Sequence, residues 1–493
     1  MARAMHGARI DPEGSMMKMG QRGLPRIGPD RSASLGADGA PVRGRFALLA
    51  LGCRVNQTEM ECLRTQLQAH GYREVPFGQA ADLTVVNTCT VTSAGDSDSR
   101  QMLRRARRAS PEGRIVATGC YAQREPRALA RAAGVDLILG NRYKEDLGRY
   151  LQLLEQTRPP REAGASCTRI VVETEPGGGS FLHHAPGEAR ARTRAVIKIQ
   201  DGCDEHCTYC IIPAVRGAST SRPWREVAGE ARRLADSGVK EVALTGINSG
   251  AYGLDGAPGA ERSLARLLRR LEEIAGIERI RLNSVEPGHV TAELVEALRS
   301  ERICPHLHIP LQSGDDEILK RMGRTYDSAE YAARLERVRR ARPETAAGAD
   351  VMVGFPGETP EHFARTRDFV ERMGFSYLHV FSYSVRPGTP AERLHHQVPV
   401  EVRRRRSREL RALDRELRRR YMERRRGATA RVLIELERDG ESTGLTEDYL
   451  RAVLPGRPAA PGEMLTVRLE RPLDGRRMAA IPAEAGDRLG TVG

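Results

Sequence analysis

Asp201-Gly-Cys-Asp-Glu-His-Cys-Thr-Tyr-Cys210 is the stretch from which the rest of the chain is best read. Its cysteines follow the pattern Cys203-x3-Cys207-x2-Cys210. Three soft thiolates so close together suit three irons of a four-iron, four-sulfur cluster. A ferredoxin-type site would add a fourth cysteine, and the next one, Cys304, lies far downstream. The fourth iron is then left for a small molecule that can be bound and reduced. The competing reading is a zinc site in which His206 is the fourth ligand.

Three more cysteines sit in a second pattern. Cys53 lies in Leu51-Gly-Cys-Arg-Val-Asn-Gln57, Cys89 in Val86-Asn-Thr-Cys-Thr-Val-Thr92, and Cys120 in Gly119-Cys-Tyr-Ala-Gln123. Each follows a short apolar run and precedes a helix-like stretch. In a parallel α/β sheet the carboxyl ends of such strands share one edge, where ligands collect, so the three thiols can meet there. The alternative is three ordinary buried thiols. Of the nine cysteines, Cys62, Cys167 and Cys304 remain, and packing or chance explains Cys62 and Cys167 better than ligation does.

Pattern changes divide the chain. Residues 1–43 are rich in Gly, Pro, Ser and Arg and read as a disordered basic extension, with Met16, Met17 and Met19 as alternative starts. Residues 44–155 alternate apolar runs and helical segments, as in a small parallel α/β domain. Residues 156–190, with Pro159-Pro160 and Gly177-Gly178-Gly179, read as a linker. Residues 191–402 repeat six strand-helix units, which predicts a partial (β/α)6 barrel. Residues 403–426 read as an Arg-rich connecting helix, residues 427–485 as a small antiparallel β-barrel, and 486–493 as a tail. The fold class is thus multidomain α/β.

Composition narrows the setting. Hydrophobic residues make up 40% of 493, and no apolar run approaches the ~20 residues needed to span a bilayer. Nine cysteines without a secretion signal point to a reducing compartment, the cytoplasm. The net charge of +14 favours an anionic partner. Lysine occurs only at 18, 144, 198, 240 and 320, whereas arginine is everywhere. Residues 403–426 carry thirteen Arg against Glu409, Asp414, Glu416 and Glu423, a net of +9. That helix is either a solvated connector or a phosphate-contacting face. Residues 427–493 hold nine Arg and eleven acidic residues, with Tyr449 the one aromatic ring. RNA binding there would rest on shape and on a patch such as Arg471, Arg476 and Arg477.

The two cysteine triads, in this order, resemble those of the methylthiotransferases. These are radical S-adenosylmethionine (SAM) enzymes with an amino-terminal cluster domain, a central radical domain and a carboxy-terminal TRAM domain. The resemblance covers roughly residues 44–485. It implies one [4Fe-4S] cluster on Cys203, Cys207 and Cys210 and another on Cys53, Cys89 and Cys120, with SAM as cosubstrate. In that family the first cluster reduces SAM to methionine and a 5′-deoxyadenosyl radical, which takes hydrogen from an unactivated C–H bond. The second carries or supplies the sulfur, which another SAM methylates.

The resemblance extends to single residues. Tyr209 and the loop Thr245-Gly246 are implied on the SAM side, as is Glu286 in Asn283-Ser-Val-Glu-Pro287, although Asn283 departs from the usual Ser. Gln312 in His308-Ile-Pro-Leu-Gln-Ser-Gly314 and Asp350 in Asp350-Val-Met-Val-Gly-Phe-Pro-Gly-Glu358 are implied at the ribose and adenine side, or are scaffold. Arg216 and Arg222 are implied in contact with the SAM carboxylate or the substrate, while Ala214 replaces an aromatic often found nearby. No side-chain acid or base is implied. Arg54-Val-Asn-Gln57 is similar to the branch acting on N6-threonylcarbamoyladenosine at tRNA position 37. Its partners would be the tRNA anticodon loop and an electron donor such as flavodoxin or ferredoxin, with the sulfur donor unknown. Related alternatives act on isopentenyladenosine-37 or a ribosomal aspartate. A remote one is an RNA-binding iron–sulfur sensor without turnover.

Overall fold

The computed structural model describes residues 43–132, 134–156, 168–173, 176–177, 179–184 and 193–483. The amino-terminal extension up to residue 42, Pro159-Pro160, Cys167 and the tail lie outside the described residues. The chain forms two units, one from residues up to 188 with 211–218, the other from 189–210 with 219–493.

In the first unit the apolar runs become β1 (Gly44–Ala50), β2 (Tyr72–Glu74), β3 (Leu83–Thr88), β4 (Arg114–Gly119), β5 (Leu137–Leu139) and β6 (Arg169–Val171). They form one sheet in the order β2-β1-β3-β4-β5-β6, and every pairing is parallel. Phe46, Leu48, Leu83, Val85 and Val116 fill a core on one face, and Val86, Ile115, Ala117 and Ile138 fill one on the other. A parallel sheet needs this two-sided cover because its connections are crossover helices. They include α1 (Arg54–Ala69), α2 (Ser93–Ala109), α3 (Cys120–Arg124), α4 (Pro126–Ala132) and α5 (Leu147–Gln156). Two expectations need correcting. The segment read as a linker supplies β6, whose run Arg-Ile-Val was too short to stand out. Residues 211–218, read as part of the radical domain, fold in this unit as α6 (Ile212–Arg216), with Ile211 and Val215 packed against Cys120.

The second unit begins with β7 (Arg194–Lys198) and the short antiparallel pair β8 (Gln200–Asp201) and β9 (Thr220–Ser221). Then come α7 (Trp224–Asp236), β10 (Glu241–Thr245), α8 (Leu264–Glu272), β11 (Arg279–Leu282), α9 (Ala292–Ala297) and β12 (His306–His308). They are followed by α10 (Asp316–Arg321), α11 (Ser328–Ala341), β13 (Ala346–Val353), α12 (Pro360–Met373), β14 (Tyr377–Ser382) and α13 (Val400–Arg424). Parallel β7, β10 and β11 form one sheet and β12, β13 and β14 another, with bridges Ile280–Ile303 and Ser284–His308 between them. The result is a (β/α)6 barrel open along one side, with β7 and β14 at its free edges. Helix α13 protects the β14 edge: Asp414 accepts from the Leu378 N–H (2.7 Å), and Arg411 donates to the Val380 carbonyl. Alternation along the strands sends Ile197, Leu244, Leu282, Leu307, Val351 and Val380 outward to the helices. The opposite parity holds the polar residues Lys198, Glu241, Arg281, His308, Asp350 and His379.

Strands β15 (Thr429–Arg438), β16 (Glu441–Thr446), β17 (Arg451–Pro455), β18 (Met464–Pro472) and β19 (Arg477–Pro482) close a carboxy-terminal barrel in the order β15-β16-β17-β19-β18. Its fastening is electrostatic. Glu241, wholly buried, pairs with Arg279 and Arg281, and their guanidiniums donate to the carbonyls of Arg431, Leu445, Thr446 and Glu447. Tyr449, the one aromatic ring of that segment, stacks on His306 (4.5 Å between centroids) with Arg281 over its face. Helix α13 is part connector and part exposed cationic surface. Arg406 and Arg425 are buried against Glu358 and Asp448, while Arg404, Arg405, Arg408 and Arg415 face solvent. No helix among the described residues is long and apolar enough to cross a membrane.

Candidate metal centres and cosubstrate site

The amino-terminal triad is built by the parallel sheet. Cys53 is the N-cap of α1 after β1, Cys89 follows β3, and Cys120 opens α3 after β4. These strands are adjacent, so their carboxyl ends bring the three sulfurs within electrostatic reach of one another: besides burial, Cys120 raises the pKa of both Cys53 and Cys89, and Cys53 raises that of Cys89. Two glycines make the approach possible. Gly52 (φ +82°) and Gly119 (φ +95°) lie where a Cβ would meet Cys89 Sγ at 2.5 Å and Asn87 Oδ1 at 2.3 Å. Burial pushes the Cys89 thiol up to about 12. Cys53 keeps surface exposure as a residue, yet desolvation at its sulfur raises it too, and Arg216 pulls it back down. Desolvated thiols grouped in this way fit a metal cluster better than three solitary core residues, since ligation removes the protons that burial otherwise retains.

A buried ion network supports the triad. Glu59 pairs with Lys144 and with Arg216 (2.7 Å), and Arg216 also donates to Asn56 Oδ1 (2.7 Å). Asn56 in turn donates to the Leu51 and Thr88 carbonyls, next to Cys53 and Cys89. Arg216 was expected at the SAM carboxylate or the substrate. The structure places it instead beside Cys53, because a buried Glu59 demands cations.

The carboxyl-terminal triad lies in the loop after β8. Cys203, Cys207 and Cys210 are half-buried, and burial raises Cys203 to about 11. Arg324, which sequence reading missed, donates to Cys207 Sγ at 3.0 Å and pairs with Glu286. Burial opposes the Arg324 charge, and Glu286 more than restores it. His206, the alternative fourth ligand, is exposed, and its carbonyl packs on Gly323. Tyr209 is half-buried, edge-on against Phe355 (6.2 Å). At the end of β10, Thr245 is buried, and Gln200 Oε1 accepts from the Asn248 N–H (2.8 Å) beyond Gly246. Gln312 holds φ +65°, a left-handed conformation rare outside glycine, pinned by its N–H to the Asp350 carbonyl and by its own carbonyl to Met352.

Two expected contacts go elsewhere. Arg222 is 2% exposed, pairs with Glu230 at 2.5 Å, and accepts at its carbonyl from the Tyr252 hydroxyl, so it is scaffold rather than a substrate contact. The Asp350 carboxylate is turned onto His308 (2.9 Å) and His379 (3.2 Å), which hold it well below the usual carboxylate range against the opposing effect of burial.

Residues 197–370 match the model described as "Radical SAM superfamily", and residues 45–140 match "Uncharacterized protein family UPF0004". Over 430 residues the chain is 39% identical to the Bacillus subtilis protein named threonylcarbamoyladenosine tRNA methylthiotransferase MtaB, covering 86% of this chain and 93% of that protein. The chain is a member of the MtaB-like radical SAM methylthiotransferases. An Aquifex aeolicus protein of the same name is 38% identical, covering 82% of this chain and 95% of its own. A Mycobacterium bovis tRNA-2-methylthio-N(6)-dimethylallyladenosine synthase is 37% identical, covering 76% and 74%. Among solved structures, the radical SAM methyltransferase TsrM from Kitasatospora setae, with cobalamin and a [4Fe-4S] cluster bound, shares the fold at a TM-score of 0.53 and 17% identity. That match covers 70% of this chain and 76% of TsrM.

One signal for the buried network was available in this methylthiotransferase. Lysine is so scarce here that each one is informative, and Lys144 and Lys198 are both buried in ion pairs, with Glu59 and Asp201. Arg324 carried no such signal, being one arginine among dozens.

Proposed function

We propose that this chain adds a methylthio group to C2 of N6-threonylcarbamoyladenosine at position 37 of tRNA, with SAM as both methyl donor and radical source. The observation that carries the reading is the pair of cysteine triads, one gathered at the carboxyl ends of three adjacent parallel strands and the other in the single loop after β8. When bound, a [4Fe-4S] cluster on Cys203, Cys207 and Cys210 supplies the electron that cleaves SAM, and one on Cys53, Cys89 and Cys120 carries the sulfur to be transferred. Arg324 neutralises charge at Cys207 and positions Glu286. Tyr209, Thr245, Gly246, Glu286 and Gln312 line the SAM side. Asp350 is left off that list because its carboxylate is engaged by two histidines. The exposed arginines of α13 meet tRNA phosphates, and flavodoxin or ferredoxin supplies electrons in the cytoplasm.

Mass spectrometry of tRNA nucleosides from a deletion strain tests the assignment. The methylthio-threonylcarbamoyl nucleoside should vanish, then return with the wild-type gene but not with Cys203→Ala or Cys89→Ala. Its persistence in the deletion strain, with loss of the isopentenyl form instead, would move the chain to the dimethylallyladenosine branch.

A further inference from the structure

On the inward parity of β12, β13 and β14 lies a hydrogen-bonded chain that neither cysteine triad requires. Tyr377 Oη lies 2.9 Å from His306 Nε2 and 3.1 Å from His308 Nδ1. His308 Nε2 lies 2.9 Å from Asp350 Oδ1, and the same oxygen meets His379 Nδ1 at 3.2 Å. Room for this chain is made at Gly348, where any Cβ would sit 2.1 Å from the Tyr377 ring. The histidines stack, His308 on Tyr377 and on His379 (4.9 Å). His379 is thus held at one nitrogen by the half-buried Asp350 carboxylate and at one face by the buried His308 ring. Its side chain is 53% exposed, and Nε2 has no partner among the described residues. A polar ring fixed on two sides and otherwise open is built to meet something.

What it meets is a cavity of about 630 Å³ at the open side of the barrel, within the usual range for a small-molecule site. His379 and Phe381 line it from β14, Arg411, Asp414 and Arg418 from α13, and Asp448 and Arg476 from the carboxy-terminal barrel. Asp414 pairs with Arg418 and Asp448 with Arg425, so Arg411 and Arg476 are the cations that can face a polar, anionic group beside an apolar surface.

We propose that His379, held by Asp350 and His308, is a specificity-determining residue that recognises the threonylcarbamoyl side chain of the substrate base, with Arg411 and Arg476 of this cavity facing its carboxylate. The assignment rests on the substrate reading above and extends it to named residues. It also gives the physical basis for choosing between the two branches. A site that offers hydrogen bonds to hydroxyl, amide and carboxylate groups rejects an alkenyl side chain, which would leave those groups desolvated and unpaired. An RNA phosphate shares the anionic chemistry, so the test must separate the two sources.

Fluorescence anisotropy with cluster-loaded protein does so, using anticodon stem-loops that carry threonylcarbamoyladenosine, its threonyl methyl ester or plain adenosine at position 37. The probes compare wild type, His379→Leu and His379→Gln, with iron content and circular dichroism as the check on folding. Wild type should prefer the modified loop. His379→Leu should lose about ten- to a hundredfold of affinity for that loop and almost none for the plain one, with His379→Gln in between. The methyl ester should bind wild type more weakly than the free acid does. Equal weakening of both loops by His379→Leu would assign His379 to phosphate and overturn the proposal, as would no weakening of either. If wild type itself shows no preference and the nucleoside survives deletion of the gene, the substrate reading fails. If the nucleoside depends on the gene while His379→Leu binds like wild type, this inference alone fails.

Discussion

Replacing Arg222 with Met distinguishes a scaffold arginine from a substrate-binding one. Arg222 and Glu230 are each 2% exposed and lie 2.5 Å apart. At an effective dielectric of about 20, unit charges at that distance attract by roughly 6–7 kcal/mol, much of it offset by the desolvation of both ions. Removing Arg222 takes from the buried Glu230 the cation that neutralises it, and such breaks cost about 3–5 kcal/mol. For a unit of this size a kilocalorie shifts the melting temperature by roughly 2 °C, so Arg222→Met should melt about 6–10 °C lower. Calorimetry of the reduced, metal-free chain reads this directly. Arg222→Met combined with Glu230→Leu should recover most of the loss, because the buried carboxylate is gone too. The reasoning is refuted if Arg222→Met melts within 1 °C of wild type while RNA or SAM binding weakens. That would return Arg222 to the substrate contact it resembled in sequence.

Further expectations concern the cluster loop, the barrel junction and pH. Arg324→Gln removes the cation donating to Cys207 Sγ and should lower the potential of the adjoining cluster by roughly 50–100 mV in an EPR-monitored redox titration; an unchanged potential would deny Arg324 that role. Glu241→Ala leaves Arg279 and Arg281 buried without their carboxylate, so limited proteolysis should release the carboxy-terminal barrel faster than from wild type. Burial pushes the Cys304 thiol up to about 11 from its ordinary value near 9. Because the folded-state value is raised, the protonated thiol's contribution to stability is complete below pH 9 and falls by roughly 2–3 kcal/mol as pH climbs toward about 11. Cys304→Ala should flatten that alkaline decline in urea titrations at successive pH values; an identical slope would contradict it.

The candidate site was legible in sequence to the extent that its chemistry is written in rare residues at short spacing. Cys203, Cys207 and Cys210 read as a cluster loop because three thiols in one turn of chain have few other uses. Cys53, Cys89 and Cys120 were harder, being far apart, but each followed an apolar run, and parallel strands end on a common edge. The barrel's six strands were visible as apolar runs. β6, β16 and β19 were not, since a three-residue edge strand and strands such as Glu-Ser-Thr-Gly-Leu-Thr lack the continuous apolar signal of a buried one. Arg216 and Arg222 were misjudged for one reason: an arginine near a ligand motif looks the same in sequence whether it faces the ligand or a buried carboxylate.

Residue type and order along the chain were therefore enough to pick out the two cysteine triads, the multidomain α/β architecture and the membership of a radical SAM family. Those properties are local, set by ligand softness, cysteine spacing and the alternation of apolar runs with helices. The partners of the charged residues were beyond the reach of any such pattern. Glu59 finds Arg216 across 157 positions, Cys207 finds Arg324 across 117, and Arg281 finds the Thr446 carbonyl across 165. The His308–Asp350–His379 chain likewise exists only once three strands lie side by side with these polar residues on their inward faces. Burial decides these pairings, because a charge removed from water must find its counterpart wherever the fold has placed it.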